Sequence, residues 1–211
     1  MLQKILSWDT SLFYLINHSR SDFLDYVMAL LSNSLFIEII VVLITVFLIW
    51  QNKFKYWYLY LIFIGLAIAL SDRISVVCFK DVVCRLRPSH ALNDAFTLKL
   101  QHGDIITSYK GGKYGFVSSH AANIFSVLTF ALFSLWKEIK RVGERRYINI
   151  FFTIIVLLWA FVTGYSRVYC GYHYPLDVFC GALLGVFIGW LCYWSSSKLK
   201  QKFFHNKNQS S

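Results

Sequence analysis

Five long apolar runs constrain this chain more than any other feature. They cover Leu35–Trp50, Tyr56–Phe79, Ala121–Trp136, Tyr147–Tyr165 and Pro175–Trp194. Coiled as helices, such runs cross a hydrocarbon core of about 30 Å, and inside lipid only a helix or a closed barrel satisfies its own backbone polar groups. The 211 residues are 57% hydrophobic and only 15% charged, too apolar for a soluble domain of this size. The expected fold class is all-α: a single-domain integral membrane helical bundle over residues 1–211. The first run is the shortest and is expected to begin upstream near Tyr26, which makes Glu38 an intramembrane or interfacial acid. The mixed stretch Ile5–Ile16, within an N-terminal segment of residues 1–25, suits an amphipathic helix lying in the interface. Its alternative is half of a sixth span. Trp50, Trp57, Trp136 and Trp194 sit near run ends, at the headgroup level that amphipathic rings favour.

The formal net charge of +10 is not spread evenly. Lys53 and Lys55 occupy one short link; Lys137, Lys140, Arg141, Arg145 and Arg146 occupy another; Lys198, Lys200, Lys202 and Lys207 lie in the polar tail of residues 198–211. In a five-span chain these places share one side, which the positive-inside bias makes the cytoplasm. Basic charge between apolar segments belongs to loops and lipid surfaces, so no nucleic-acid partner is expected. Asp9, Asn17 and His18 interrupt the N-terminus too early for a secretory apolar region, and no cleaved signal is expected. Cys78, Cys84, Cys170, Cys180 and Cys192 have no metal-type spacing and read as small apolar residues, with a Cys84–Cys170 disulfide left open. The opposite face receives the long connection Pro88–Val117, where Gly111 and Gly112 form an expected hinge and Lys99, Lys110 and Lys113 add charge suited to headgroup choice.

Three polar clusters come to that same face. The first runs from Lys80 to Pro88. Lys80 and Arg87 are seven positions apart, two helical turns, and would project from one face of a helix that Pro88 ends. A compact ammonium and a planar guanidinium together can neutralise a phosphoryl group, although either alone could be an interfacial anchor. The second cluster is Val117, Ser118, Ser119 and His120, with Ser118 a candidate N-cap at a helix start that attracts anions. The third runs from Ser166 to Asp177. Pro175 suits the first turn of the last span, placing His173 just ahead of it and Asp177 inside it. Asp177 can take the proton of one ring nitrogen while the other attacks phosphorus, and Arg167 adds a phosphate ligand. The alternative is a His and Asp pair that merely caps a helix.

These clusters resemble the signature of the type-2 phosphatidic acid phosphatase and vanadium haloperoxidase superfamily: K-x6-R-P, then P-S-G-H, then S-R-x5-H-x3-D. Lys80, Arg87 and Pro88 match the first element, and Ser166, Arg167, His173 and Asp177 match the third. The second departs, with Val117 for Pro and Ser119 for Gly, while Ser118 and His120 remain. The resemblance covers residues 71–194. It implies a phosphohistidine on His173, protonation of the leaving oxygen by His120, and phosphate held by Lys80, Arg87, Ser118 and Arg167, with no metal and no cofactor. Arg73 would line the same groove or pair with Asp72. Soluble haloperoxidases, a non-catalytic lipid-binding or transport protein, and a metal phosphatase are the rival readings. Five spans favour a lipid phosphate drawn from the bilayer, and an outward-facing site favours undecaprenyl diphosphate or a lipid A phosphate, with phosphatidylglycerophosphate and phosphatidic acid as alternatives. The expected location is a bacterial inner membrane with the site facing the periplasm or exterior.

Overall fold

In the computed structural model, which describes residues 1–51, 53, 56–139 and 144–209, the apolar runs become five helices long and apolar enough to cross a membrane. They are Ser34–Gln51, Trp57–Val83, Ser119–Trp136, Arg146–Tyr169 and Pro175–Lys202. The first is α3 (Ser34–Gln51); the second joins α4 (Trp57–Ile74), a π-helical stretch Ser75–Lys80 and the single turn α5 (Asp81–Val83). The others lie in α7 (Ser119–Ile139), α8 (Glu144–Tyr169) and α9 (Pro175–Gln209). Of the basic residues assigned to one side, Lys55, Lys140 and Arg141 lie outside the described residues. The α7 span is 61% buried against 28–33% for the rest, so it forms the axis around which the others pack. Phe130, Leu135, Tyr60, Ala67, Leu48 and Ile188 make the core. Leu43, Leu61, Ile62, Phe151, Phe161 and Phe187 remain exposed, as lipid-facing side chains should be.

The tightest packing joins α7 and α9. Gly181, Gly185 and Gly189 recur every fourth residue on one face of α9 and lie against Ser118, Ala122 and Ser126 of the α7 side. A Cβ at Gly185 would run into the Ala122 carbonyl and lie 2.9 Å from the Ser126 nitrogen. Within lipid there is no hydrophobic drive between helices, so small residues that let backbones meet supply the association.

Two sequence expectations are corrected. The first span does not begin near Tyr26: Asp22–Leu31 is a separate helix, α2, capped by Ser21, and the chain breaks at Ser32 and Asn33. Asn33 Oδ1 accepts from Phe36 N at 3.2 Å, starting α3 afresh, while Ser32 is claimed by Arg167. Nor does Pro88 end the second span. That helix stops at Val83, because Cys84 is left-handed with φ 51°, and Pro88 instead opens the short helix α6 (Pro88–Ala91). The bundle itself is helical as expected, with one small addition outside it. The long connection holds a hairpin of β1 (Leu98–Gln101) and β2 (Asp104–Thr107), whose two turn residues His102 and Gly103 both have positive φ, as a two-residue hairpin turn requires.

The N-terminal helix α1 (Leu2–Asn17) exposes Leu2, Trp8, Leu12 and Leu15 and buries Asp9, Phe13 and Asn17 against the bundle. Asn17 is fully used: its Nδ2 donates to the Phe96 and Tyr169 carbonyls at 2.8 and 2.7 Å, and its Oδ1 accepts from Phe96 N at 2.9 Å. The five cysteines are free, with Cys84 exposed and Cys170 buried.

The glycine seam makes the first prediction. Gly185→Ala should destabilise the protein by about 1–3 kcal/mol, the usual cost of overpacking. Gly65→Ala, where nothing lies within 4 Å, should not. Thermal unfolding in detergent separates the two.

Candidate active site

The third cluster is shaped by how α8 ends. Gly171, at φ 74°, turns the chain back on itself, so that the Tyr172 and His173 nitrogens both donate to the Arg167 carbonyl, at 3.0 and 3.3 Å. A Cβ at this glycine would strike the Phe96 carbonyl. Pro175 then opens α9, and Asp177 falls in its first turn. The Asp177 carbonyl accepts from Ser118 N at 2.9 Å, a bond the glycine seam permits, and this joins the third cluster to the second. Ser118 Oγ accepts from Ala121 N at 3.4 Å, in keeping with the expected cap. Ser166 turns away and donates to Thr163 O at 2.8 Å within its own helix.

Ser119, one of the departures from the family pattern, ties the first cluster to the second. Its hydroxyl lies 2.6 Å from Ser75 Oγ and accepts from Lys80 Nζ at 2.7 Å. The π-helical stretch that ends at Lys80 shifts this lysine from the face a regular helix would give it. Arg87 is not on that helix, so the expected two-turn geometry does not hold. It sits in extended backbone after the left-handed Cys84, its own nitrogen donating to Lys113 O at 3.1 Å and its Nε to Tyr114 O at 3.2 Å. The expected hinge glycines pack against this guanidinium: a Cβ on Gly111 would come within 2.8 Å of Arg87 Nη1.

Arg167 is buried. Its Nη1 donates to Ser32 O at 3.0 Å and Ser32 Oγ at 2.6 Å, and its guanidinium lies 4.3 Å over the Tyr172 ring. Arg87, Arg167, His120, Lys99, Tyr109 and Tyr172 line one cavity of about 440 Å³. Ser34 and His120 also border a second cavity of about 420 Å³, otherwise mostly apolar and lined by Ile37, Val41, Ile68 and Ile124, with Glu38 beside them. The Ser34 hydroxyl lies 3.4 Å from His120 Nε2. Arg73 is exposed.

His173 is 1% exposed and lies beside the cavity rather than in its lining. Burial, reinforced by Arg87, Arg167 and Lys80, pushes its imidazole well below the ordinary histidine range and so favours the neutral ring, against a smaller upward pull from a hydrogen bond with the Gly115 backbone. Its Nδ1 stands 3.7 Å from Asp177 Oδ2, too long for the hydrogen bond that spacing alone suggested, and has no other hydrogen-bond partner. Burial lowers the Arg87 pKa as well, yet an arginine stays cationic. Burial drives the Tyr172 hydroxyl upward, so the phenol remains a proton donor, here to Leu98 O at 2.6 Å.

Sequence reasoning missed four contributors. Ser32 and Ser34 had no signal in the pattern. Arg85 stood inside the first cluster but was given no role. Asp9 was read only as a polar interruption that argues against a secretory signal. Arg85 bridges the two aspartates, donating from Nη1 to Asp177 Oδ1 at 2.9 Å and from Nη2 to Asp9 Oδ2 at 2.6 Å. Among the described residues no three His, Cys, Asp or Glu side chains gather to hold a metal ion.

Comparison with known proteins agrees with this architecture. The chain is 33% identical, over 94% of its length and 81% of the relative's, to a lipid A 4′-phosphatase of Bacteroides thetaiotaomicron. Its fold is similar to the PAP2-type phosphatidylglycerolphosphate phosphatase of Bacillus subtilis, with a TM-score of 0.66 and 22% identity, covering 94% of this chain and 87% of that one. It is also similar to LpxE of Aquifex aeolicus, at a TM-score of 0.57 and 28% identity over 87% and 93% of the two chains. The family model described as PAP2 superfamily matches residues 60–201, which span all three polar clusters. The chain therefore belongs to the PAP2 superfamily.

Proposed function

We propose that this membrane phosphatase removes a phosphate from a lipid, with a lipid A 4′-phosphate as the preferred class of substrate, through a phosphohistidine on His173. The observation that carries the reading is a cation-lined cavity that shares Ser34 and His120 with an apolar one. A phosphate seated by Arg87 and Arg167 would leave its lipid portion beside Ile37, Val41 and Ile124. The substrate class follows the Bacteroides relative, a lipid A 4′-phosphatase matched over most of both chains.

Lys80, Arg87 and Arg167 supply positive charge where charge develops on the transferring phosphoryl group, the largest single contribution in reactions of this kind. The neutral His173 attacks phosphorus through the nitrogen away from Asp177. A nitrogen to phosphorus bond forms as the bond from phosphorus to the lipid oxygen breaks. Phosphate at the cavity brings negative charge that favours an imidazolium at His120, which gives its proton to the departing oxygen. Water then attacks phosphorus, His120 takes up the proton, and inorganic phosphate leaves with His173 restored. Asp177 faces the imidazolium-like ring of the intermediate and stabilises it. The basic links assigned to the cytoplasm support a site on the periplasmic or exterior side of the inner membrane.

A phosphate-release panel over lipid A, undecaprenyl diphosphate and phosphatidylglycerophosphate should give the highest kcat/KM for lipid A. Alkaline rapid quench should trap phosphate on His173, and His173→Ala should abolish trapping and turnover together. His120→Ala should cost about 100-fold or more on the lipid substrate, within the usual range for lost acid catalysis, and clearly less on nitrophenyl phosphate, whose leaving group needs no proton. A phosphoryl group found on His120 alone reverses the assignment. Activity should persist in excess EDTA, since the cations are side chains; loss restored only by a divalent ion overturns the mechanism. A cysteine introduced at Lys110, in a chain with Cys84→Ser, should react with an impermeant reagent in intact cells if the site faces outward.

A further inference from the structure

The Asp177 carboxylate is 0% exposed, and a buried carboxylate is costly unless another charge meets it. Arg85 is that charge. Its guanidinium donates to Asp177 Oδ1 at 2.9 Å, while Asp177 Oδ2 accepts from Tyr174 N at 3.1 Å and faces His173 Nδ1. Both carboxylate oxygens are thereby fixed, so the direction Asp177 presents to His173 is set by Arg85 and the turn at Tyr174.

Arg85 is itself held on four sides. Its carbonyl accepts from Gly115 N at 2.8 Å, and its guanidinium lies 4.0 Å over the Tyr174 ring. Its Nη2 donates to Asp9 Oδ2 at 2.6 Å, and Asp9 Oδ1 accepts from Leu176 N at 2.8 Å, in the first turn of α9 beside Asp177. Phe13, one turn along α1 from Asp9, packs its ring 5.4 Å from that of Tyr174. Asp9 and Asp177 thus occupy the two ends of one planar fork, and α1 is anchored to the same turn that carries the Asp177 backbone. Gly115 closes the remaining side: a Cβ there would fall 2.9 Å from Asp177 Oδ2.

We propose that Arg85 and Asp9 are positioning residues for the chemical step, Arg85 aiming the Asp177 carboxylate at His173 and Asp9 of α1 holding the Arg85 fork in place. Arg85 and Asp9 act through Asp177 rather than on the phosphate: the cavity is lined by Arg87 and Arg167, and neither Arg85 nor Asp9 is part of that lining. The N-terminal helix is then a working part of the site, and its attachment tunes the rate without altering the affinity for phosphate. This rests on the reading of His173 and Asp177 as nucleophile and orienter.

The test compares Arg85→Gln, Arg85→Lys, Asp9→Asn and Asp177→Asn in the full-length, detergent-solubilised protein, with nitrophenyl phosphate as substrate and inorganic phosphate as competing ligand. Arg85→Gln should lower kcat by about 10- to 100-fold, the scale of a misplaced group in an active site. KM and the inhibition constant of phosphate should stay within about twofold, and Arg85→Lys should recover part of the rate, because it keeps one charged donor. Asp9→Asn should give a smaller loss in kcat only. Combining Asp9→Asn with Asp177→Asn should cost no more than Asp177→Asn alone, since both act through one carboxylate. Should Arg85→Gln fail to accumulate, Asp9→Asn, which keeps the Arg85 to Asp177 pair, carries the same comparison.

Wild-type kcat in Arg85→Gln or Asp9→Asn, or additive losses in the double variant, would overturn the proposal. A rise in the phosphate inhibition constant with kcat unchanged would make Arg85 a phosphate ligand instead. Full activity in Asp177→Asn would sink the underlying reading as well, an outcome distinct from a normal Asp9→Asn beside an impaired Asp177→Asn.

Discussion

The site depends on how closely α9 approaches α7. Three glycines at four-residue spacing leave α9 without side chains along one face, and the α7 backbone settles against it at Ser118, Ala122 and Ser126. That approach brings Ser118 N to the Asp177 carbonyl at 2.9 Å. A methyl group between the helices would push the start of α7, with Ser119 and His120, away from the turn that holds His173. In a soluble protein, apolar burial could hold such an arrangement with larger residues. In lipid the neighbouring phase is as apolar as the side chains, so close backbone contact has to do it.

Buried and half-buried charges gather around the same turn of α9, and its stability follows from how fully each charge is met. Arg167 rests on Ser32 and the Tyr172 ring, Arg87 on the Tyr114 carbonyl, and Lys80 on Ser119. Each cation is held largely by neutral oxygens, and the two aspartates nearby are engaged by Arg85. Cations held by neutral groups keep most of their charge for a ligand, whereas cations paired with carboxylates would have spent it. Ser119 is informative here. At the position where the family pattern has glycine, this chain places a hydroxyl that meets both the Lys80 ammonium and the Ser75 hydroxyl.

Local reading succeeded where the signal is repeated along the chain and failed where a single residue changes the backbone. All five spans were legible because a run of apolar residues has one stable form in lipid. The break at Ser32 and Asn33 was not, since a polar pair at the end of an apolar run reads equally as an interfacial end or as a cap between two helices. The stop at Cys84 was hidden for a similar reason. A left-handed cysteine has no compositional mark, and the proline four residues on looked like the natural terminator. Consequently Lys80 and Arg87, assigned to one helical face, reach the site by separate routes: one from a π-helical turn, the other from an extended segment fixed by the residues around Tyr114.

A membrane bundle, with three polar clusters of fixed spacing meeting at one face, is written in the order of the residues. Span length and the order of motifs along the chain carry that information directly. The spacing from Arg167 to His173 to Asp177 is local, set by a helix end, a glycine turn and a helix start, and so could be read in one dimension. Tertiary structure alone decided that Asp9 hydrogen-bonds Leu176, that Asp9 and Asp177 share Arg85, that Ser32 supports Arg167, and that His173 stands 3.7 Å from Asp177. Except for that last separation, these contacts join residues far apart in sequence. All of them depend on the distance between packed helices to a fraction of an ångström, and periodicity and composition carry no record of that distance.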